Sequence, residues 1–298
     1  MYKFNHKISL VILNWNGIDY LKTFLPFIIQ YSNIPGVTIV VADNGSTDDS
    51  VNYIESHFPS IQLICLDKNY GFTGGYNRAL QQLNSEYYIL LNSDVEVSEN
   101  WIEPVIKIMD EDTTIAAAMP KILSYSDRHK FEYAGASGGF IDKLGYPFCR
   151  GRIIGDIEED KGQYNDVRDI FWASGTAMFI RSELFIGYGG LDEDFFAHME
   201  ELDLCWRLKN GGYRIVVVPD SVVYHVGGGT LPNNTPRKIY LNYRNNIMLL
   251  LKNLESIQLI PIILTRMILD GFSACVYLLK MNFSFFWSVI KAHMSFYL

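Results

Sequence analysis

The chain has 298 residues, 49% of them hydrophobic, enough for one large α/β domain with an appendage and a sizeable core. A formal net charge of -8 removes any general attraction for a polyanion, which excludes a nucleic-acid partner from the first reading while leaving room for small anionic ligands held locally. Four scattered cysteines with no CxxC pair, and an N-terminus MYKFNHKISLVILNW without the layout of a cleavable signal, predict a reducing, cytoplasmic setting in which the sequons at Asn44, Asn233 and Asn282 carry no meaning.

The first hundred residues alternate strand and helix signals. Ile8 to Leu13 is a short apolar run of the kind that is covered on both faces of a sheet, and Tyr20 to Tyr31 has apolar residues at helical spacing. Thr38 to Ala42 is the second strand. It stops at Asp43-Asn44-Gly45-Ser46-Thr47-Asp48, a turn cluster rich in helix N-caps, and Val51 to His57 continues as helix. Ile61 to Leu66 and Tyr87 to Leu91 supply two more strands, separated by Gly71-Phe72-Thr73-Gly74-Gly75 and a helix through Arg78 and Leu83. The pattern is doubly wound α/β, in which ligands bind at the carboxyl ends of the strands.

Each of these strands ends in polar or glycine-rich residues: Asn14, Asn16 and Gly17, then Asp43 and Asn44, then Asn69 and the glycines, then Asn92 and Asp94. Turn chemistry alone accounts for Gly and Asn at such places, but less well for carboxylates that immediately follow apolar runs. Asp43 is suited to accept from a base or ribose, and Gly71, Gly74 and Gly75 would let backbone N–H groups approach phosphate. If Asn92 to Glu96 is extended, Asn92, Asp94 and Glu96 share one face and offer hard oxygen ligands to Mg²⁺ or Mn²⁺. His225, which ends the apolar run Ile215 to Val226 and precedes Gly227-Gly228-Gly229, would add an imidazole and favour manganese; such a histidine is also commonly just a satisfied one.

Further along, Gly135-Ala136-Ser137-Gly138-Gly139 matches the GxSxG nucleophile pattern, but no apolar strand leads into it and no helix clearly follows. The small residues Ala173 to Thr176 suit a backbone passing close to a substrate, while Phe171 and Trp172 fit either a sugar platform or the core. In FFAHMEELDLCWR the acids Glu200, Glu201 and Asp203 lie among aromatic and apolar residues, where burial raises a carboxyl pKa towards that of a general base. The alternative is a helix N-terminus with Asp203 and Arg207 as an i,i+4 pair.

Tyr240 to Leu251 begins as an amphipathic helix with Arg244 placed where a cation can meet phosphate, and Ile257 to Leu279 is nearly all apolar. Pro261 and the i,i+4 pair Arg266 and Asp270 interrupt that run. With Phe283, Phe285, Phe286 and Trp287 of interfacial type, it predicts helices that lie on a membrane face or pack on the domain, rather than a span.

In order and spacing, ISLVILNWNG, VVADNGSTDDS, NYGFTGGYNRAL, YILLNSDVEV, WASGTAMFIR, GGLDEDFF, MEELDLCWRL and VVYHVGGGT resemble the inverting glycosyltransferase family 2, in particular its bacterial rhamnosyltransferase-like set. The resemblance covers about Ile8 to Asn246. It implies a GT-A fold: a Rossmann-like mixed sheet flanked by helices, with residues 1–97 as the nucleotide-sugar half, 98–235 as the acceptor half and 236–298 as a helical, membrane-associated appendage. By the same resemblance Asp43 binds the nucleotide base alongside Asn14, with Asn44, Gly74, Gly75, Asn77 and Arg244 as further donor contacts. Asp94 and His225 hold the divalent metal, Mn²⁺ or Mg²⁺, and Asn92 replaces the first acid of the DxD motif. Glu201 falls at the catalytic base, where the family usually has Asp, and Asp203 is the rival. The implied reaction moves a sugar from a UDP- or dTDP-sugar to a saccharide or lipid-linked acceptor with inversion, in cell-surface polysaccharide synthesis at the inner face of the cytoplasmic membrane. A nucleotidyltransferase would share the acidic site but would need a glycine-rich basic loop near the N-terminus; a nucleotide-sugar-binding protein of weakened catalysis would tolerate Asn92.

Overall fold

A computed structural model describes residues 4–153, 155–227 and 235–297. Four parallel strands begin the chain: β1 (His6–Asn14), β2 (Val37–Asp43), β3 (Gln62–Cys65) and β4 (Ser85–Asn92), with α1 (Ile18–Ser32), α2 (Ser50–His57) and α3 (Gly71–Leu80) between them. Their continuous apolar sequences reflect cover on both faces: Leu10, Val11, Ile12, Val40, Ile89 and Leu90 are all buried. The register sets Asn14 opposite Asp43 and Leu13 opposite Asn92, which brings the three polar strand ends to one edge.

The second half adds β5 (Val95–Val97), α4 (Glu103–Glu111), β6 (Ile115–Ser124), four short strands β7 (Gly139–Ile141), β8 (Pro147–Cys149), β9 (Arg152–Ile153) and β10 (Asp156–Ile157), then β11 (Arg168–Ile170) and β12 (Ala177–Arg181). It ends with α5 (Ser182–Gly187), α6 (Glu200–Asn210) and β13 (Arg214–His225). The main sheet runs β11-β13-β6-β12-β4-β1-β2-β3, with β5 on β13, so both halves share one sheet; β12 lies antiparallel between β4 and β6. β7 to β10 form a separate small antiparallel sheet in a stretch where the sequence shows no alternation long enough to announce it.

Two sequence expectations change. Gly71 to Gly75 is the first turn of α3 and not a loop, and Asn92 to Glu96 is not one extended run, because Ser93 and Asp94 turn the chain between β4 and β5. Glu96 therefore leaves the row of oxygen ligands and pairs with Arg128 at 2.8 Å.

Three helices follow: α7 (Pro236–Asn253), α8 (Ser256–Leu279) and α9 (Phe283–Tyr297). α7 packs on α6, and α8 and α9 pack on α7. α8 is long and apolar enough to cross a membrane by length and composition. Its charged pair nevertheless faces the protein: Arg266 and Asp270 are buried, while Ile257, Ile260, Leu264, Ile268, Phe272 and Leu279 are exposed.

Candidate functional site

At the shared strand edge, the loops after β1 and β2 are stitched together. Asp43 accepts from the Asn14 side-chain amide at 3.1 Å and from the Ser46 backbone N–H at 2.8 Å. Asn16, left-handed at φ 50, turns its side-chain oxygen to the Thr47 N–H at 2.7 Å. Asn14 Oδ1 is left buried without a donor, which is unusual for an interior acceptor and marks a place for an incoming N–H. Asn44 joins β2 to α3: its amide donates to Asn69 Oδ1 and the Gly71 carbonyl and its oxygen accepts the Tyr70 N–H. A Cβ at Gly75 would lie 2.8 Å from Leu13 and 2.9 Å from the Asn44 amide, and one at Gly74 would lie 2.9 Å from Tyr70 and Arg78. Both glycines thus permit close helix packing, where phosphate approach was the expectation.

Strand pairing builds the acidic cluster. Val95 of β5 is opposite His225 of β13, so Asp94, one residue earlier, sits over the histidine and its carbonyl accepts the Val226 N–H. Asp94 Oδ1 lies 3.2 Å from His225 Nε2, and Glu132 Oε1 lies 3.3 Å from Nδ1 without the alignment of a directed hydrogen bond. Burial works against a charged imidazole here, but the two carboxylates outweigh it and raise the His225 pKa to about 10. Among the described residues no group of three or more His, Cys, Asp or Glu converges as a complete metal set. Asn92 stands at the end of β4, where its backbone N–H donates to the Thr176 carbonyl.

The acids of α6 separate by their partners. Asp203, the rival base, has both oxygens taken: Arg207 reaches Oδ2 at 2.7 Å and Asn253 donates to Oδ1 at 2.8 Å, so the i,i+4 pair of the sequence forms. Glu201 has no such partner. Its Oε2 is buried and unbonded, and burial pushes its pKa up to about 7 against the backbone hydrogen bonds of Glu201 itself and Gly175. Glu200 beside it is buried with Oε2 unpartnered, and is held well above the ordinary carboxyl range first by burial and then by the Glu201 charge. A Cβ at Gly175 would lie 3.1 Å from the Phe72 ring and 4.0 Å from Glu201 Cβ, so the small-residue run carries backbone past the candidate base.

The approach to α6 is strained. Phe196 (φ 63, ψ −53), His198 (φ 70) and Met199 (φ 76) all lie at positive φ, a conformation costing on the order of 1–3 kcal/mol at each non-glycine residue. Gly71, at φ +74, has no room for a Cβ because the Phe196 ring would lie 2.8 Å from it.

Two expected donor contacts are engaged elsewhere. Asn77 faces the loop after α5, where it donates to the Leu191 carbonyl at 2.7 Å and accepts the Leu191 N–H at 3.0 Å. Arg244 donates to the carbonyls of Asp194 and Phe195 and to Asn245 Oδ1. A cavity of about 510 Å³ is lined by Asn77, Leu191 and Arg207 and touches none of Asp43, Asp94 or Glu201. Another, about 130 Å³, adjoins Glu132 and His225. Trp172 is core, donating to the Phe140 carbonyl, and Ser137 is buried with its hydroxyl on the Tyr164 carbonyl. Gly228 and Gly229 lie outside the described residues. Glu132 was not singled out by sequence because it stands alone in an aperiodic stretch; Glu200 was read with Glu201 and Asp203 as one acidic group, and the structure gives it a buried, unpartnered oxygen of its own.

This geometry has counterparts. Over 236 residues the chain is 25% identical to the N-acetylglucosaminyl-diphospho-decaprenol L-rhamnosyltransferase of Mycobacterium tuberculosis, covering 73% of this chain and 75% of that one. Over 264 residues it is 25% identical to the dTDP-rhamnosyl transferase RfbF of Shigella flexneri, covering 84% and 81%. The mannosyltransferase of Pyrobaculum calidifontis, solved in complex with GDP-Man and Mn²⁺, superposes with a TM-score of 0.57 over 99% of this chain and 78% of that one at 14% identity, which speaks for a GT-A fold. The family model described as glycosyl transferase family 2 matches residues 9–186, across the strand edge, Asp94 and the Ala173 to Thr176 run. With the parallel strand ends, the inserted β12 and the sequence order of its acids all accounted for, the chain belongs to glycosyl transferase family 2, among its rhamnosyltransferase-like members.

Proposed function

We propose that this transferase moves a sugar, with dTDP-rhamnose or a UDP-sugar as donor, to a saccharide or lipid-linked acceptor with inversion, in the building of a cell-surface polysaccharide. The observation that carries the reading is Glu201: a desolvated carboxylate with a free oxygen, beside the Gly175 backbone, on a sheet whose strand edge presents Asp43 and Asn14. The acceptor oxygen attacks the anomeric carbon, its proton passes to Glu201, and the bond to the departing nucleoside diphosphate breaks on the opposite face. Asp43 and the unsatisfied Asn14 Oδ1 would take the base.

Asp94 and His225 fit a divalent cation, since ligand atoms 3.2 Å apart suit adjacent positions on one ion and a diphosphate supplies the remaining oxygens. Such an ion, Mn²⁺ or Mg²⁺, would neutralise the leaving diphosphate. Glu132 would orient His225 from behind, leaving Nε2 to the ion. In a screen of UDP-, dTDP- and GDP-sugars, release of nucleoside diphosphate should require the metal. Mn²⁺ affinity measured in the presence of dTDP should fall about 10- to 100-fold in Glu132→Gln. Metal-independent release from every donor would sink the metal assignment, and no release at all would sink the transferase reading.

The exposed apolar residues of α8 are taken as a peripheral contact with the inner face of the cytoplasmic membrane. Wild-type protein should sediment with phosphatidylglycerol vesicles and Ile268→Glu/Phe272→Glu should not. Equal sedimentation of the two proteins would remove α8 from that role.

A further inference from the structure

One side-chain amide reaches three backbone carbonyls of the strained turn ahead of α6. Phe196 is the middle of a γ-turn of the rare, strained kind, closed by the Ala197 N–H on the Phe195 carbonyl at 2.7 Å. The carbonyls that follow are then turned away from any helix. The two side-chain N–H groups of Asn245 of α7, 0% exposed, are shared among three carbonyls of the turn: Phe195 at 2.9 Å, Ala197 at 2.8 Å and His198 at 2.8 Å. The fourth, Phe196, accepts the Phe72 N–H at the start of α3, at 3.1 Å. Asn245 is itself oriented, because Arg244 Nε donates to its Oδ1 at 2.9 Å.

We propose that Asn245 is a positioning residue for Glu201: it fixes the strained turn Phe196 to Met199 and thereby sets the direction from which α6 presents its first two acids to the acceptor. The idea rests on Glu201 being the proton acceptor. A side chain with donors on a short arm is required. Aspartate has the shape of Asn245 without the N–H groups, and leucine would take the side-chain donor away from the Ala197 and His198 carbonyls. Strain of this kind persists only where its surroundings over-determine it, and here Asn245 joins the Phe72 N–H and Arg244 in holding the turn.

The test is Asn245→Asp, with Asn245→Ser, which keeps one donor, as the second variant should the buried carboxylate prevent folding. With the donor chosen by the screen, kcat should fall about 100-fold, the scale of a catalytic group misplaced by about 1 Å, while KM for the donor and affinity for dTDP stay unchanged. The acid limb of the kcat profile should move below pH 7 as Glu201, freed from its setting beside Glu200 and Cys205, gains water. A purely structural role would lower the melting temperature and leave the limb where it is. Folded variants with wild-type kcat and an unmoved limb overturn the proposal. An active Glu201→Gln overturns the base assignment beneath it, a separate result.

Discussion

Glu201→Gln transfers sugar about 10²- to 10⁴-fold more slowly than the wild type and binds dTDP or UDP as well as the wild type does. The size follows from removing the proton acceptor alone. Glutamine fills the same volume, keeps the packing against Gly175 and cannot take a proton, and Asp203 cannot replace it because Arg207 and Asn253 hold both of its oxygens. Isothermal titration with the nucleotide and initial rates of transfer separate the two halves of the expectation. The wild-type pH profile carries a further one. Glu201 must be ionised to act, and burial has lifted its pKa to about 7, so kcat should decline as pH falls through that value and be level above it. A flat profile between about pH 5 and 8 would assign the base elsewhere.

Asp270→Ala lowers the free energy of unfolding by about 3–5 kcal/mol, the scale for stripping one partner from a buried ion pair. Arg266 and Asp270 have side chains 2% and 1% exposed and lie 3.6 Å apart, one turn from each other on α8. Tyr146 donates to Asp270 at 3.2 Å and stacks its ring on the Arg266 guanidinium at 3.7 Å, while Arg266 also reaches the Leu144 carbonyl and Asn246. Alanine would leave a buried cation whose remaining acceptors are neutral. Urea unfolding measures the loss, and a change under about 1 kcal/mol would mean that the pair behaves as an exposed one. The same residues fix which side of α8 meets the protein: its charges are on that side, and its exposed apolar residues are on the other.

The parallel strands of the first half were legible because strands covered on both faces must be apolar runs, and their polar ends followed from the same rule. The start of α3 was not. Glycine is a poor helix former, and only the packing of Gly75 on Leu13 and Asn44 overrides that preference. The pair of Asp203 with Arg207 was readable from a four-residue spacing, but Asn253, which completes it, is fifty residues on and carries no local signal. Asp94 with His225 could be matched by order along the chain, whereas Glu132 reaches His225 only because its strand-like segment is laid against β6. Arg244 and Asn77 were chosen for chemical type near the right motifs; type does not reveal that a backbone carbonyl already holds the side chain.

β12 has a consequence for how the molecule could be taken apart. Its residues come late in the sequence, at 177–181, yet it supplies the neighbour of β4, which ends at Asn92. A chain cut after Val97 would present Tyr87 to Leu91 as a bare, apolar strand edge, the surface on which foreign strands add and aggregates grow. The first ninety-seven residues are therefore not a portable module, and nascent chain leaving the ribosome must wait for residues 177–181 before that edge is sealed.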